Sequence, residues 1–209
     1  LAWSVDLHHI SERFGIFTII VLGESFVKVL DDAQGTEVGG NEMLFSTFGL
    51  TVLYSLWWLY FSDTAGEIMG FKTAIKPVAW IYGHLPLATG LVTFGVAAKK
   101  AFGSAVSYPD KPLNPDYQLL YTTSLVLFLI ALAIIDFGLD DEETAKSQNT
   151  ESISHLIGAG MVAAAGLLLT DLTPVTFVMV MAVIMLTQVA YSIYSTSTTQ
   201  HHVEHGQHS

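Results

Sequence analysis

Four ionisable residues lie within one long apolar run near the start of the chain, where they could pair ions or carry protons. The run has Glu12 and Arg13 at its head, Glu24 eleven residues after Arg13, and Lys28 one helical turn later. Eleven residues make about three turns of α-helix, so Arg13 and Glu24 share a face. Charged residues are costly inside a membrane and mark pairing sites or pathways there. The pattern indicates either a proton or ion pathway or buried ion pairs that fix helix packing.

The geometry of this run separates its charges into two groups. Glu24 and Lys28 are one turn apart and can pair with each other. Together with Arg13, Phe17 and Ile20 they form a single stripe, whereas Glu12 lies off it. We call these five positions, from Arg13 to Lys28, the charged stripe.

A weaker set of residues has the chemistry of metal ligands. It comprises His8, Glu12, Asp63, Glu67 and His84. Neutral imidazole and carboxylates suit several divalent metals. No spacing brings these groups together, and wet positions at the membrane surface explain Asp63 and Glu67. We therefore predict no metal site and no cofactor.

His84 stands two residues before Pro86 inside an apolar segment. Such a histidine can relay protons, ligate a haem-like macrocycle, or hydrogen-bond to a neighbouring helix. The sequence contains no phosphate loop, nucleophile elbow or two-histidine zinc helix. We therefore predict that the protein is not an enzyme. Asp136 and Asp171 fall at the ends of apolar segments, where we expect water.

The composition is that of a multi-pass membrane protein. Hydrophobic residues make up 51% of the 209 residues and charged residues 13%, and the mean hydropathy is +0.50. Ordinary globular domains carry about 25% charged residues. The net charge of -11 argues against a nucleic-acid partner, which needs clustered Lys and Arg. The absence of cysteine excludes disulfides.

Hydropathy predicts an all-α bundle of about six transmembrane helices, since a crossing needs about 20 apolar residues. The predicted spans are 11–30, 43–62, 75–102, 117–137, 152–170 and 174–194, followed by a polar, His-rich tail over 196–209. The basic residues divide evenly between the two sides of such a bundle. One side has Arg13, Lys72, Lys76 and Lys146, and the other has Lys28, Lys99, Lys100 and Lys111. This balance gives no preferred orientation by the positive-inside rule.

Two further patterns concern helix packing and symmetry. Small residues fill the fifth span from Gly158 to Gly166 and predict close helix contact. A faint echo relates Asp63, followed by His84, to Asp136, followed by His155. Such an echo is typical of a parallel repeat of helix pairs, as in some transporters.

Three blocks of sequence resemble one family. They are the run from Glu12 to Glu24, the segment Leu56-Trp57-Trp58-Leu59-Tyr60-Phe61, and the segment from Tyr82 to Gly90. In order and spacing they are similar to the bacterial low temperature requirement protein A family, over about Ser11 to Lys100. Members are usually about twice as long, so this chain looks like the later half. The resemblance implies the bacterial cytoplasmic (inner) membrane and supplies no reaction.

Two functions fit these observations. The first is transport-related, with Glu12, Arg13, Glu24, Lys28 and His84 lining a polar interior. The second is a non-catalytic accessory or scaffolding subunit of a larger membrane complex. In both cases the expected partners are the bilayer and bound lipid, with a membrane-protein partner or a second copy of the chain.

Overall fold

Six α-helices account for the fold in the computed structural model, which describes residues 7–33, 39–63, 75–138 and 145–206. Side chains at 7, 8, 26, 28–33, 63, 145–149 and 196–206 lie outside this description. The helices are α1 (Leu7–Ala33), α2 (Gly40–Asp63), α3 (Ile75–Ser107), α4 (Pro115–Gly138), α5 (Ala145–Leu168) and α6 (Pro174–Gly206). The described residues contain no strand, so the all-α prediction is confirmed.

Five of the helices are long and apolar enough to cross a membrane. These are α2 to α6, over Gly40–Ser62, Ile75–Ser107, Pro115–Gly138, Thr150–Leu168 and Pro174–Ser195. The remaining helix, α1, is long enough to cross a membrane but contains the charged residues of the stripe. It packs lengthwise against α3, from Phe14 beside Trp80 to Ser25 beside Leu91. Its crossing of the membrane stays a prediction, which this alignment supports.

The helix bounds differ modestly from the predicted spans. All six helices extend beyond their predicted spans at one or both ends, and α6 continues through the polar tail to Gly206. The fifth helix begins at Ala145, seven residues before its predicted span, but ends at Leu168, two residues before the predicted end. Apolar character marks the part of a helix that a bilayer can hold, whereas the helix itself continues into polar sequence.

Consecutive helices run up and down through the bundle. The start of α3 meets the end of α4 at Gly83 and Ile135, and Gln118 near the start of α4 reaches the end of α5. We call the end where α1, α3 and α5 begin the proximal end, and the opposite end the distal end. Helices α2 and α4 therefore finish at the proximal end.

The core is built around α3 and α4, which form the most extensive helix pair. Helix α3 also contacts α1, α2 and α6, while α5 packs against α4 and α6. The largest fully buried side chains include Trp80, Phe102, Tyr121, Phe128 and Phe177. Lipid tails are as apolar as the core, so exclusion from water does not drive the helices together within the membrane. Dispersion among these closely packed rings stabilises the contacts between helices instead.

Two helices start at the distal end with the same local chemistry. Asn114 precedes Pro115 at the start of α4, and its side-chain oxygen accepts a hydrogen bond from Asp116 N at 2.8 Å. Thr173 precedes Pro174 at the start of α6, with its hydroxyl 3.4 Å from Thr176 N. A capping oxygen followed by proline satisfies free N–H groups and presets the first turn.

The glycines of α5 allow the close helix contacts that the small residues of the fifth span predict. A Cβ on Gly166 would lie 2.8 Å from Thr122 Cβ on α4, and one on Gly158 would lie 2.6 Å from Gln188 Cδ on α6. Gly160 on the same helix has open space around it. Gly166 and Gly158 therefore allow α5 to approach α4 and α6, respectively, whereas Gly160 lies at neither contact.

Gly166→Ala should weaken the contact between α4 and α5, because Thr122 is buried and cannot move away. We expect a loss of about 1–3 kcal/mol in the free energy of unfolding, measured by thermal unfolding in detergent micelles. Gly160→Ala is the matched control on the same helix and should cause no loss. Equal behaviour of the two variants would contradict the packing described here.

Candidate intramembrane polar site

A histidine and an aspartate meet inside the bundle between α4 and α5. His155 Nε2 lies 3.4 Å from Asp136 Oδ2, and the two side chains are 3% and 2% exposed. Both belong to membrane-spanning segments. Ionisable side chains buried at such positions face protein rather than lipid and commonly mark functional sites.

The pair can hold a proton in two ways at the same net charge. Asp136 can be ionised beside an imidazolium, or protonated beside a neutral imidazole. Losing the proton leaves a buried negative charge, and gaining a second leaves a buried positive charge. Either change is costly in a medium of low dielectric constant. The pair can therefore gain or lose a proton only at the cost of a buried net charge.

The expectation that water surrounds Asp136 is wrong. Asp136 lies two residues before the end of α4, but it is 2% exposed because the bundle encloses it, with His155 of α5 packed against it. The corresponding expectation for Asp171 is confirmed, since that residue is exposed in the distal turn. Sequence reasoning missed the pair, and the only signal was the echo linking Asp136 with His155.

Further polar side chains lie in the proximal half of the bundle. Ser154 donates to Gln188 Oε1 at 3.3 Å, joining α5 to α6, and Gln188 is buried over Gly158. The hydroxyls of Ser62 and Ser192 are 3.3 Å apart and join α2 to α6. We call these four residues, with Asp136 and His155, the proximal polar layer. It links the proximal halves of four helices.

His84 is buried in an aromatic enclosure on the other side of α3. Its Nδ1 lies 2.7 Å from the Trp80 carbonyl oxygen, which can only accept, so Nδ1 carries a proton. Its Nε2 lies 3.3 Å from the Tyr60 hydroxyl, and the Phe14 ring stacks on it with centroids 4.0 Å apart. Among the three interpretations of His84, this geometry supports hydrogen bonding to a neighbouring helix, because both nitrogens are engaged.

The two histidines occupy comparable places in the bundle. His84 on α3 faces Tyr60 near the end of α2, and His155 on α5 faces Asp136 near the end of α4. The two helix pairs run in the same direction. The side chain of Asp63, which the sequence echo matched to Asp136, lies outside the described residues.

The expectation that the charges of α1 line the interior is wrong for the three whose side chains the structure describes. Glu12, Arg13 and Glu24 face outward, and Glu12 lies 3.5 Å from His9 Nδ1. The inward face of α1 instead carries Phe14, Thr18, Val21, Leu22 and Ser25, which pack against the other helices. These uncharged side chains can be buried without leaving an unpaired charge, whereas charged side chains facing α3 would need partners there. The side chain of Lys28 lies outside the described residues, and among the candidates that the structure does describe only His84 faces inward.

The metal interpretation finds no assembled site in the part of the chain that the structure describes. No group of three or more His, Cys, Asp or Glu lies close enough there to hold an ion. Glu12 and His84 are on the outside and the inside of the bundle, respectively. Glu67 and the side chains of His8 and Asp63 lie outside the described residues.

The fold and this site define a multi-pass α-helical membrane protein with a polar layer inside its bundle. The model of one family, described as bacterial low temperature requirement A protein, matches residues 1–190. The chain belongs to that family, as the sequence blocks predict, and the match extends well beyond Lys100. Correspondence to the later half of longer members stays a prediction.

One curated relative adds information about length. An uncharacterised protein of Rhizobium meliloti (strain 1021) is 30% identical over 97 residues, which is 43% of this chain and 23% of the relative. The matched region thus spans less than a quarter of the relative's length. No solved structure matches the chain.

Replacing both members of the His155–Asp136 pair should destabilise the bundle by less than the sum of the two single replacements. Asp136→Leu or His155→Leu alone leaves a buried ionisable group without its counterpart, which costs about 3–5 kcal/mol. The double replacement should cost less than the sum of the single ones by about 1–3 kcal/mol. Thermal unfolding of all four proteins in detergent measures this coupling, and strict additivity would show that the pair does not interact.

Proposed function

We propose that this protein takes part in proton-linked transport across the bacterial inner membrane, with the His155–Asp136 pair as its proton-binding site. The single observation that carries the proposal is this ionisable pair, 3% and 2% exposed, within spanning helices. The family is not a known enzyme family, and the proposed role is not catalytic. The bilayer and its lipid are the partners in this role.

Titratable groups between the pair and the proximal surface favour proton exchange. Glu151 is half-buried on α5, one turn before His155 and on the same face. The Lys76 amine at the start of α3 lies 5.9 Å from the centre of the Phe137 ring, next to Asp136 in the chain. These groups give protons a route between water and the pair. The buried aspartate and histidines of the described residues all lie in the proximal half, so transfer to the distal side requires a conformational change.

The mechanism follows from the cost of an unbalanced charge. The neutral pair is stable while helices enclose it, and it exchanges a proton only when the proximal or the distal side opens to water. A transported solute whose binding favours one opening would couple its movement to the proton.

Asp136→Asn should abolish proton movement while preserving side-chain volume. We would reconstitute purified protein into liposomes containing a pH-sensitive dye and impose a potassium diffusion potential. The unaltered protein should acidify or alkalinise the interior faster than empty liposomes, and the variant should match empty liposomes. Asp171→Asn, at the exposed distal acid, is the control and should retain the unaltered rate. Equal rates for Asp136→Asn and the unaltered protein would refute the proposal.

A second candidate function is that of an accessory or scaffolding subunit, favoured by the outward-facing charges of α1. In that case the charges would contact another membrane protein, and the polar layer would serve packing alone. Purification from the native membrane in a mild detergent should then yield a stable complex with a different polypeptide. Migration as the isolated chain or as a complex of identical chains would count against this role.

A further inference from the structure

A groove on the outside of the bundle lies between α1 and α2. Its volume is about 470 Å³, and its walls are residues between 19 and 23 of α1 and between 50 and 57 of α2. Helix α1 packs mainly against α3, and α2 packs mainly against α6, so these two neighbours touch little and leave a space between them. The α2 wall belongs to a membrane-spanning segment, Gly40–Ser62. In the membrane the groove therefore opens to the hydrocarbon of the bilayer.

The lining of the groove is apolar and aromatic. Leu22 is its most buried side chain, at 6% exposure, while Ile19 and Trp57 are 53% and 41% exposed. Gly23 adds width, because a Cβ there would meet nothing within 4 Å. Tyr54 supplies the single hydroxyl of the lining. Such a surface suits a hydrocarbon chain and offers little to a polar solute.

The dimensions of the groove favour a single chain over a helix. The seven-residue interval from Leu50 to Trp57 extends it along the bundle by about 10 Å. A volume of about 470 Å³ over that length gives a mean cross-section of about 50 Å². A helix 10–12 Å across has a cross-section of about 80–110 Å². The groove is therefore too narrow for a helix of a partner protein, whereas an extended hydrocarbon chain can enter it.

Side chains separate the groove from the core of the bundle. Leu50 and Leu53 also line a second cavity, which lies between α1, α2 and α3 and has a volume of about 10 Å³. That space is about the size of one water molecule and is too small for a chain. An occupant of the groove therefore lies along the outside of the bundle, away from the His155–Asp136 pair on α4 and α5.

A basic residue lies between the groove and the proximal end of α1. Arg13 is exposed and precedes Ile19 by six residues, which is about 9 Å along the helix. Ile16, which is 60% exposed, lies between them, and Glu12 is 3.5 Å from His9 Nδ1. An arginine side chain in a membrane extends to the level of the headgroups, where its guanidinium can bind phosphate with two hydrogen bonds. Arg13 and the groove thus match the two parts of a phospholipid.

We propose that the groove between α1 and α2 binds one phospholipid of the bilayer, with an acyl chain against Leu22 and Gly23 and the phosphate at Arg13. The site combines a recess for the chain with a cation for the phosphate, which distinguishes it from a smooth lipid-covered face. Its binding is independent of proton transport, because the proposed proton-binding pair lies on other helices.

Gly23→Leu should fill the groove with a side chain and exclude the lipid chain. Purified protein in detergent is titrated with phosphatidylglycerol whose acyl chains carry bromine, and bromine in contact with Trp57 quenches its fluorescence. We expect the variant to lower the apparent affinity at least about tenfold. Gly160→Leu is the matched control, because a Cβ there also has open space around it, and it should leave the affinity unchanged. Equal affinities for Gly23→Leu and the unaltered protein would overturn the proposal.

Trp57→Phe identifies the quenching that comes from the groove, since the chain has four tryptophans. The replacement keeps an aromatic wall and should remove most of the bromine-dependent signal. Native mass spectrometry should still count one bound phospholipid per chain. Unchanged quenching in Trp57→Phe would place the chain elsewhere, and a purified dimer without lipid would show that a second copy covers the groove. Either result would overturn the proposal.

Arg13→Gln separates the phosphate contact from the chain contact. The unaltered protein should bind phosphatidylglycerol about fivefold more tightly than a diacylglycerol with the same chains, because a basic residue near the membrane surface attracts an anionic headgroup. The variant should bind the two ligands equally. Lys111→Gln, in the exposed distal turn, is the control and should keep the full preference. A preference for phosphatidylglycerol that persists in Arg13→Gln would overturn the placement of the phosphate.

Discussion

The hydrocarbon of a bilayer contains no hydrogen-bonding groups, and this constraint determines where polar side chains of the bundle can lie. Asp136 and His155 are tolerated inside because each faces the other across α4 and α5. Ser154 and Gln188 similarly face each other across α5 and α6. Rotating α5 by one residue, about 100°, would break both contacts at once. The polar pairs thus fix the rotation of α5, which apolar packing alone would leave less defined.

The polar contacts in turn depend on residues that have no side chain. Gln188 lies over Gly158, one turn from His155, where a Cβ would meet it at 2.6 Å. On the other side of α4, a Cβ on Gly138 would lie 2.7 Å from the Trp80 backbone nitrogen. These close approaches hold the proximal halves of α3, α4, α5 and α6 together. Small residues and buried polar groups therefore act jointly, as is common between helices in lipid.

Hydropathy was sufficient to predict the six helices but insufficient to predict which face of each points inward. In α1, Ile16 faces outward and Val21 inward, although both are β-branched and apolar. The usual rule that apolar residues mark the inner face fails when lipid also favours them on the outer face. Charge alone therefore predicts that the charged stripe faces the interior, whereas the structure places its described charges on the outside.

The candidate site was missed for a different reason. The burial of Asp136 depends on how α5 packs against α4 at His155, and this does not follow from the residues around Asp136. His155 entered the sequence argument only through its likeness to His84. By contrast, the start of α6 at Pro174 could be predicted, because proline after a capping threonine is a local signal. Local chemistry determines helix ends, whereas the site depends on contacts between distant segments.

The placement of charge in this bundle has one further consequence. By insertion scales, an arginine or aspartate at the centre of a membrane helix costs about 2.5–3.5 kcal/mol, and an apolar residue costs nothing. Inside the bundle, the contact with His155 offsets this cost for Asp136. Arg13 faces away from the bundle near its proximal end, where its long side chain can reach water. Ionisable side chains of this chain are therefore accommodated in two ways, by a partner inside the bundle or by water at its end.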